Sequence, residues 1–120
     1  MRSRRRTGPL THVLVAGDVA ELDSVRGLLA LLPDDAYGLV LLEAAAGEPV
    51  PEVLRPARVA LTVLVRDRTD APGARLSAAA AAWAEEWVVE EHDPARDVSV
   101  WVGATVTWDS APVQGQLERL

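Results

Sequence analysis

The sequence contains no cysteine and no lysine. The first absence excludes disulfides, thiolate nucleophiles, iron–sulfur ligation and zinc–cysteine sites. The second excludes Schiff-base chemistry and the lysine of a phosphate-binding loop. All twelve cationic side chains are therefore arginine. Phenylalanine is absent too and tyrosine occurs once, so the core falls to Val, Leu and Ala, with four tryptophans as the large pieces. Histidine is scarce: His12 and His92 lie far apart, and no run of metal-ligand spacing accompanies them, so no metal is expected. No stretch approaches the ~20 apolar residues of a membrane span, and a membrane is not expected as a partner. The arginines at the start are followed only by Val13 to Ala16 before Asp18 interrupts, which is too short for a signal peptide. A soluble, cytoplasmic protein is the expectation.

What is present fits one domain: 120 residues, 49% of them apolar, enough to bury a core without staples. The net charge of −6 is unevenly placed. Arg2, Arg4, Arg5 and Arg6 stand at the start, and the remaining eight arginines face eighteen acids, 8 − 18 = −10. So acidic a body repels a phosphate backbone, and no nucleic-acid partner is expected. Residues 1–10 read as a disordered, Arg-rich, solubilising tail, with contact to an acidic partner or membrane surface as the alternative. Residues 11–120 read as a single α/β domain.

Along the chain, His12-Val13-Leu14-Val15-Ala16 is a buried strand ending at Gly17-Asp18. Asp18 has the position of a helix N-cap, and Glu21 three residues later completes a capping-box pattern. Val19, Leu22, Val25, Leu28, Leu29 and Leu32 then form one helical face, closed by Pro33-Asp34-Asp35. Tyr37 to Glu43 is a second strand, its unbroken apolar run suited to a parallel sheet. Prolines 49, 51 and 56 keep the next segment a loop. Val59 to Val65 is a third strand, a helix runs from about Ala74 to about Glu91, and Val98 to Val102 is a fourth strand. A weak helical segment follows from Ser110 to Leu120. The pattern predicts a small Rossmann-like, three-layer α/β domain with a mostly parallel four-stranded sheet, order 3-2-1-4.

Ligands in such sheets bind beyond the carboxyl ends of the strands, where the strand order reverses. Here that crevice lies between Gly17-Asp18 and Gly103-Ala104-Thr105. A strand, a glycine and a helix start present backbone N–H groups to an anion, although the full Gly-x-Gly-x-x-Gly fingerprint is missing and Asp18 is itself negative. The plainer role for Asp18 is capping. Glu43 ends the second strand where an acid contacts a ribose hydroxyl in dinucleotide-binding sheets, or is an exposed strand-end carboxylate. Arg66 and Arg68 end the third strand and either bind an anion or pair with Asp67 and Asp70. Thr105, Thr107 and Asp109 cluster after the fourth strand without a nucleophile elbow, so no catalytic residue is assigned. Trp83 and Trp87 read as core or interface anchors, Trp101 as core and Trp108 as exposed, while His12 and His92 cap a strand and a helix end.

Several of these stretches resemble the C-terminal domain of siderophore-interacting proteins. The likeness rests on His12 to Asp18 with Ala20-Glu21-Leu22, on Leu29 to Pro33, and on Leu42-Glu43-Ala44, Val63 to Arg66 and Val100-Trp101-Val102. It implies a ferredoxin-reductase-like, NAD(P)H-binding domain, with Gly17, Asp18, Glu43 and Arg66 lining the cofactor crevice. Family members carry a flavin-binding barrel before this domain and reduce ferric siderophores. Only about ten residues precede the first strand here, so no flavin is expected on this chain, nor a complete redox enzyme. The family's Ala-Gly-Glu after the fourth strand reads Gly103-Ala104-Thr105, and its Arg-rich following helix reads Pro112-Val113-Gln114-Gly115-Gln116. The expectation is a stand-alone domain that binds NAD(P)H for a separate flavin-containing reductase partner. The alternative is a non-enzymatic interaction or oligomerisation module with a degenerate nucleotide crevice, its partner reached by self-association or through an exposed tryptophan or sheet edge.

Overall fold

In the computed structural model the described residues are 10–87 and 96–108. Four strands, β1 (Leu10–Asp18), β2 (Tyr37–Ala45), β3 (Arg58–Arg66) and β4 (Arg96–Val102), form one sheet in the order β3-β2-β1-β4. Every pairing is parallel, with His12 opposite Tyr37 and Val98, and Asp18 opposite Glu43. The expected topology is the observed one. The first strand begins at Leu10, so the tail assigned to residues 1–10 gives up its last residue to the sheet.

Side-chain alternation along β1 feeds two cores, as a central strand covered on both faces requires. Val13 and Val15 pack with Leu22, Val25 and Leu29 of α1 (Leu22–Ala30). Leu14 and Ala16 pack on the other face with Leu76, Ala80 and Trp83 of α2 (Ala74–Trp87). Helix, sheet and helix make the three layers. The first helix does not start as an α-helix: Val19–Glu21 is a 3-10 turn that carries the cap. Among the described residues no helix is long and apolar enough to cross a membrane.

The crossover from β2 to β3 is a loop, and it takes the place of a helix on the α1 side. Val53 is buried against Val59, and Val50 packs beside it. Arginines hold this loop by its carbonyls: Arg55 Nε donates to Val59 O at 2.8 Å and Arg55 Nη1 to Val53 O at 2.9 Å, while Arg26 Nη2 donates to Glu52 O at 3.1 Å. The loop packs over the start of β3, at Val59, and leaves the rest of the strand uncovered. The second half of β3 is therefore open, with Val63 39% and Val65 52% exposed. This strand, apolar but for Thr62, is the sheet edge that the order 3-2-1-4 makes it.

At the opposite end of the sheet from the expected crevice, His12 does not simply cap its strand. It is buried, stacked on Tyr37 at 4.4 Å, with Trp83 at 5.0 Å and the edge of Trp87 at 4.9 Å. The Arg58 guanidinium lies 5.3 Å from the Tyr37 ring centre. Parallel register brings His12 and Tyr37 level, and Trp83 and Trp87, one helical turn apart, close the cluster. Trp101 is half-buried against the α1-side core, and Trp108, expected to be exposed, is half-buried against the α2-side core. His92, Asp109, the arginines of the tail and the segment 110–120 lie outside the described residues.

Gly38 has φ +146°, and a Cβ there would collide with the backbone carbonyl of Val13. Gly38→Ala is expected to destabilise the fold by on the order of 3 kcal/mol, combining backbone strain with displacement of the central strand. Urea unfolding of the two proteins measures it.

Candidate functional site

The strand ends bring the predicted residues together. Gly103 N continues the ladder by donating to Ala16 O at 2.8 Å, which sets Gly103-Ala104-Thr105 beside Gly17-Asp18. Asp18 caps the 3-10 turn, accepting from Ala20 N at 2.9 Å, in extended backbone with φ −88° and ψ 154°. Its partner in the capping box is Glu21, whose Oε1 accepts from Asp18 N at 3.0 Å. The other oxygen of Glu21 reaches across the crevice and accepts from Ala104 N at 3.0 Å. One carboxylate thus fills the space between the two strand ends and takes an amide from each.

Glycine is needed where the two loops approach most closely. A Cβ on Gly103 would overlap the Glu21 carboxylate, and one on Gly17 would lie 3.1 Å from Cζ3 of Trp101. Gly73, at φ +84°, lets the loop before α2 lie against the Thr105 carbonyl. The Thr107 amide donates to Ser77 Oγ at 2.8 Å, which fixes the segment after β4 on α2. Thr105 itself is exposed.

Beside this crevice is a second constellation. Glu43 is fully buried, not exposed at a strand end, and its Oε2 accepts from Arg66 Nη1 at 2.8 Å and from Gly73 N at 3.0 Å. Arg66 Nη1 also reaches Asp18 Oδ2 at 3.2 Å. The guanidinium pKa is raised, chiefly by the hydrogen bond to Glu43 and then by that to Asp18. Oε1 of Glu43 has no hydrogen-bond partner among the described residues. Arg68 stands apart from this group and is exposed, its amide donating to Asp67 Oδ1 at 2.7 Å.

The charge balance follows directly. Asp18, Glu21 and Glu43 oppose a single arginine, Arg66, which is already shared between two of them. An anion entering at the Asp18 and Ala104 amides would have to displace Glu21 and then sit beside Asp18. The amides are the right donors for a pyrophosphate, but they are satisfied from within. Sequence reasoning placed Glu21 in the cap and missed its second bond, because that bond needs the β1–β4 register. Among the described residues no group of three or more potential ligands could hold a metal.

No protein-family model matches this chain, and no curated protein does. Solved structures do match. A siderophore utilization protein from T. fusca is 26% identical with a TM-score of 0.53, over 77% of this chain and 33% of that one. The siderophore-interacting protein from Acinetobacter baumannii is 14% identical with a TM-score of 0.50, over 82% and 37%. The siderophore-interacting protein SipS from Aeromonas hydrophila is 21% identical with a TM-score of 0.49, over 78% and 38%. This chain spans about a third of the length of these proteins, and it shares the fold of the matching part of the T. fusca and A. baumannii proteins.

Two expectations test the constellation. Arg66→Ala strands the buried Glu43 carboxylate and is expected to lower the melting temperature more than Glu43→Gln, which keeps an acceptor for Gly73 N. Asp70 orders the approach to Gly73 by accepting from Arg75 Nε at 2.6 Å and from Asp67 N at 2.9 Å. Its pKa is lowered from 3.8, first by the Arg75 hydrogen bond. The contribution is therefore complete above about pH 4 and lost as pH falls through the lowered value. Hydrogen exchange at the Asp67 amide, corrected for intrinsic rate, is expected to lose protection over that range, and Asp70→Asn to abolish the pH dependence.

Proposed function

We propose that this chain is a siderophore-interacting-protein-like α/β domain that works as a non-enzymatic interaction module, its nucleotide crevice closed from within. The observation that carries this reading is the Glu21 carboxylate, which holds Asp18 N and Ala104 N at 3.0 Å each. Those two amides are what a nicotinamide dinucleotide would use for its pyrophosphate, and the surrounding field is acidic. A ligand with two phosphates would have to expel a carboxylate that completes a capping box and enter beside Asp18, with Arg66 already engaged.

A second reading is favoured by one feature. The two amides converge on a single anion, so Glu21 stands where a phosphate would stand. With Glu21 swung aside, the domain would bind NAD(P)H for a separate flavin-containing partner that reduces ferric siderophores. The fold shared with the T. fusca siderophore utilization protein supports this reading too.

Titration with NADPH and NADH, followed by tryptophan emission, separates the two. Trp101 lies against Gly17 at the crevice floor and serves as the reporter. The expected result is no saturable binding at millimolar nucleotide. Glu21→Ala, which frees both amides, is expected to bind pyrophosphate more tightly than the parent chain. Micromolar binding by the parent chain, weakened by Arg66→Ala, would overturn the module reading in favour of the second.

A further inference from the structure

We infer that the outer edge of β3 is the seam of a two-fold dimer, in which β3 of one copy pairs antiparallel with β3 of a second copy about Val63. The inference rests on the interaction-module reading and names its partner.

β3 ends the sheet, and its register with β2 runs from Arg58 to Arg66 without a bulge. Along such a strand the N–H and C=O of one residue face the neighbouring strand, and those of the next residue face away. Val59 shows which set faces away. Its N–H donates to Pro56 O at 3.0 Å and its C=O accepts from Arg55 Nε at 2.8 Å, both in the loop before the strand. Leu61, Val63 and Val65 therefore point outward too. Among the described residues their N–H and C=O groups have no hydrogen-bond partner. The open run stops at Asp67, whose N–H donates to Asp70 Oδ2 at 2.9 Å and whose C=O accepts from Asp70 N at 3.1 Å. Along the edge, Val59 is closed, Leu61, Val63 and Val65 are open, and Asp67 is closed.

That pattern is its own complement. An axis through Val63, normal to the sheet, sets Val63 against Val63 of the second copy, Leu61 against Val65, and Val59 against Asp67. The open residues then form hydrogen-bonded antiparallel pairs, each exchanging both bonds. The closed residues meet only closed residues. A longer foreign strand would find no partner for its backbone at Val59 or at Asp67. A two-fold pairing also uses both edges at once, so the assembly closes instead of growing.

The side chains agree. Leu61, Val63 and Val65 lie on one face, and the pairs across the axis, Leu61 with Val65 and Val63 with Val63, are apolar. From Val59 to Val65 the strand has no charge, no proline and no bulge, so it lacks the devices that keep an edge single. The net charge of −6 does not oppose the seam, because β3 itself carries no acid. Beyond the ladder, Asp67 and Arg68 of one copy come up to Arg58 of the other, so the ends are of mixed sign.

The test is the mass of the full chain by light scattering from micromolar to millimolar concentration, with hydrogen exchange of the β3 amides at both limits. A concentration-dependent dimer is expected. Protection is expected to rise with concentration most at Leu61, Val63 and Val65, and least at Ala60, Thr62 and Leu64, which face β2. Val63→Lys and Val63→Glu each set like charges against one another on the axis. Each is expected to weaken the dimer at least about tenfold, with unchanged circular dichroism, because the side chain is already partly in water. Mixed in equal amounts, the two variants are expected to dimerise with each other, a recovery that misfolding would not give. A monomer at every concentration would overturn the inference and leave the edge to a foreign strand. So would a dimer whose protection does not alternate along β3, or a mixture of the two variants that stays monomeric. A monomer inert to NADPH sinks only the second-copy inference, whereas nucleotide binding sinks the reading beneath it.

Discussion

The carboxylate of Glu43 is the constraint on which the carboxyl end of this sheet depends. It is fully buried at the end of β2 and takes a guanidinium hydrogen bond from the end of β3 and an amide hydrogen bond from the loop before α2. The same guanidinium reaches Asp18 at the end of β1. Three strand ends and the loop before α2 are therefore tied together through Glu43 and Arg66. A buried carboxylate is tolerated only with a cation and directed hydrogen bonds. The arrangement is consequently demanding: Arg66 cannot be spent on an incoming ligand without stranding Glu43.

That constraint bears on function through the neighbouring crevice. In a dinucleotide-binding sheet the strand ends leave amides and cations free for phosphate. Here the amides are held by Glu21 and the cation by Glu43 and Asp18. The fold is shared with part of much longer siderophore-interacting proteins, but fold alone does not carry an activity. In this chain the amides and the arginine at the strand ends are already satisfied from within.

The architecture was legible in the sequence because local signals agreed. Short apolar runs at Val13, Leu39, Val59 and Val98 alternated with one strong amphipathic helix and one alanine-rich helix, and right-handed crossovers left one strand order. The capping box was legible because it spans three residues, Asp18 to Glu21. The rest needed distance information. Glu21 meets Ala104 only through the β1–β4 register, and the Arg66–Glu43 bond requires two strand ends to coincide. The aromatic surroundings of His12 come from β1, β2 and α2. The openness of β3 was hidden because Val59 to Val65 is apolar except at Thr62, and composition does not say whether a loop will cover its neighbour.

The loop that replaces a helix between β2 and β3 also ranks the pairings by how far the chain must close on itself. β2 and β3 are joined by residues 46–57 alone, whereas β1 meets β4 only after nearly the whole domain has been laid down. Closure entropy grows with the length of chain enclosed, so the β1–β4 ladder is the pairing with the largest ordering cost and the slowest search. The crevice between Asp18 and Ala104 is built on that ladder. It exists only in the finished sheet, so the Glu21 bond across it marks completion of the fold.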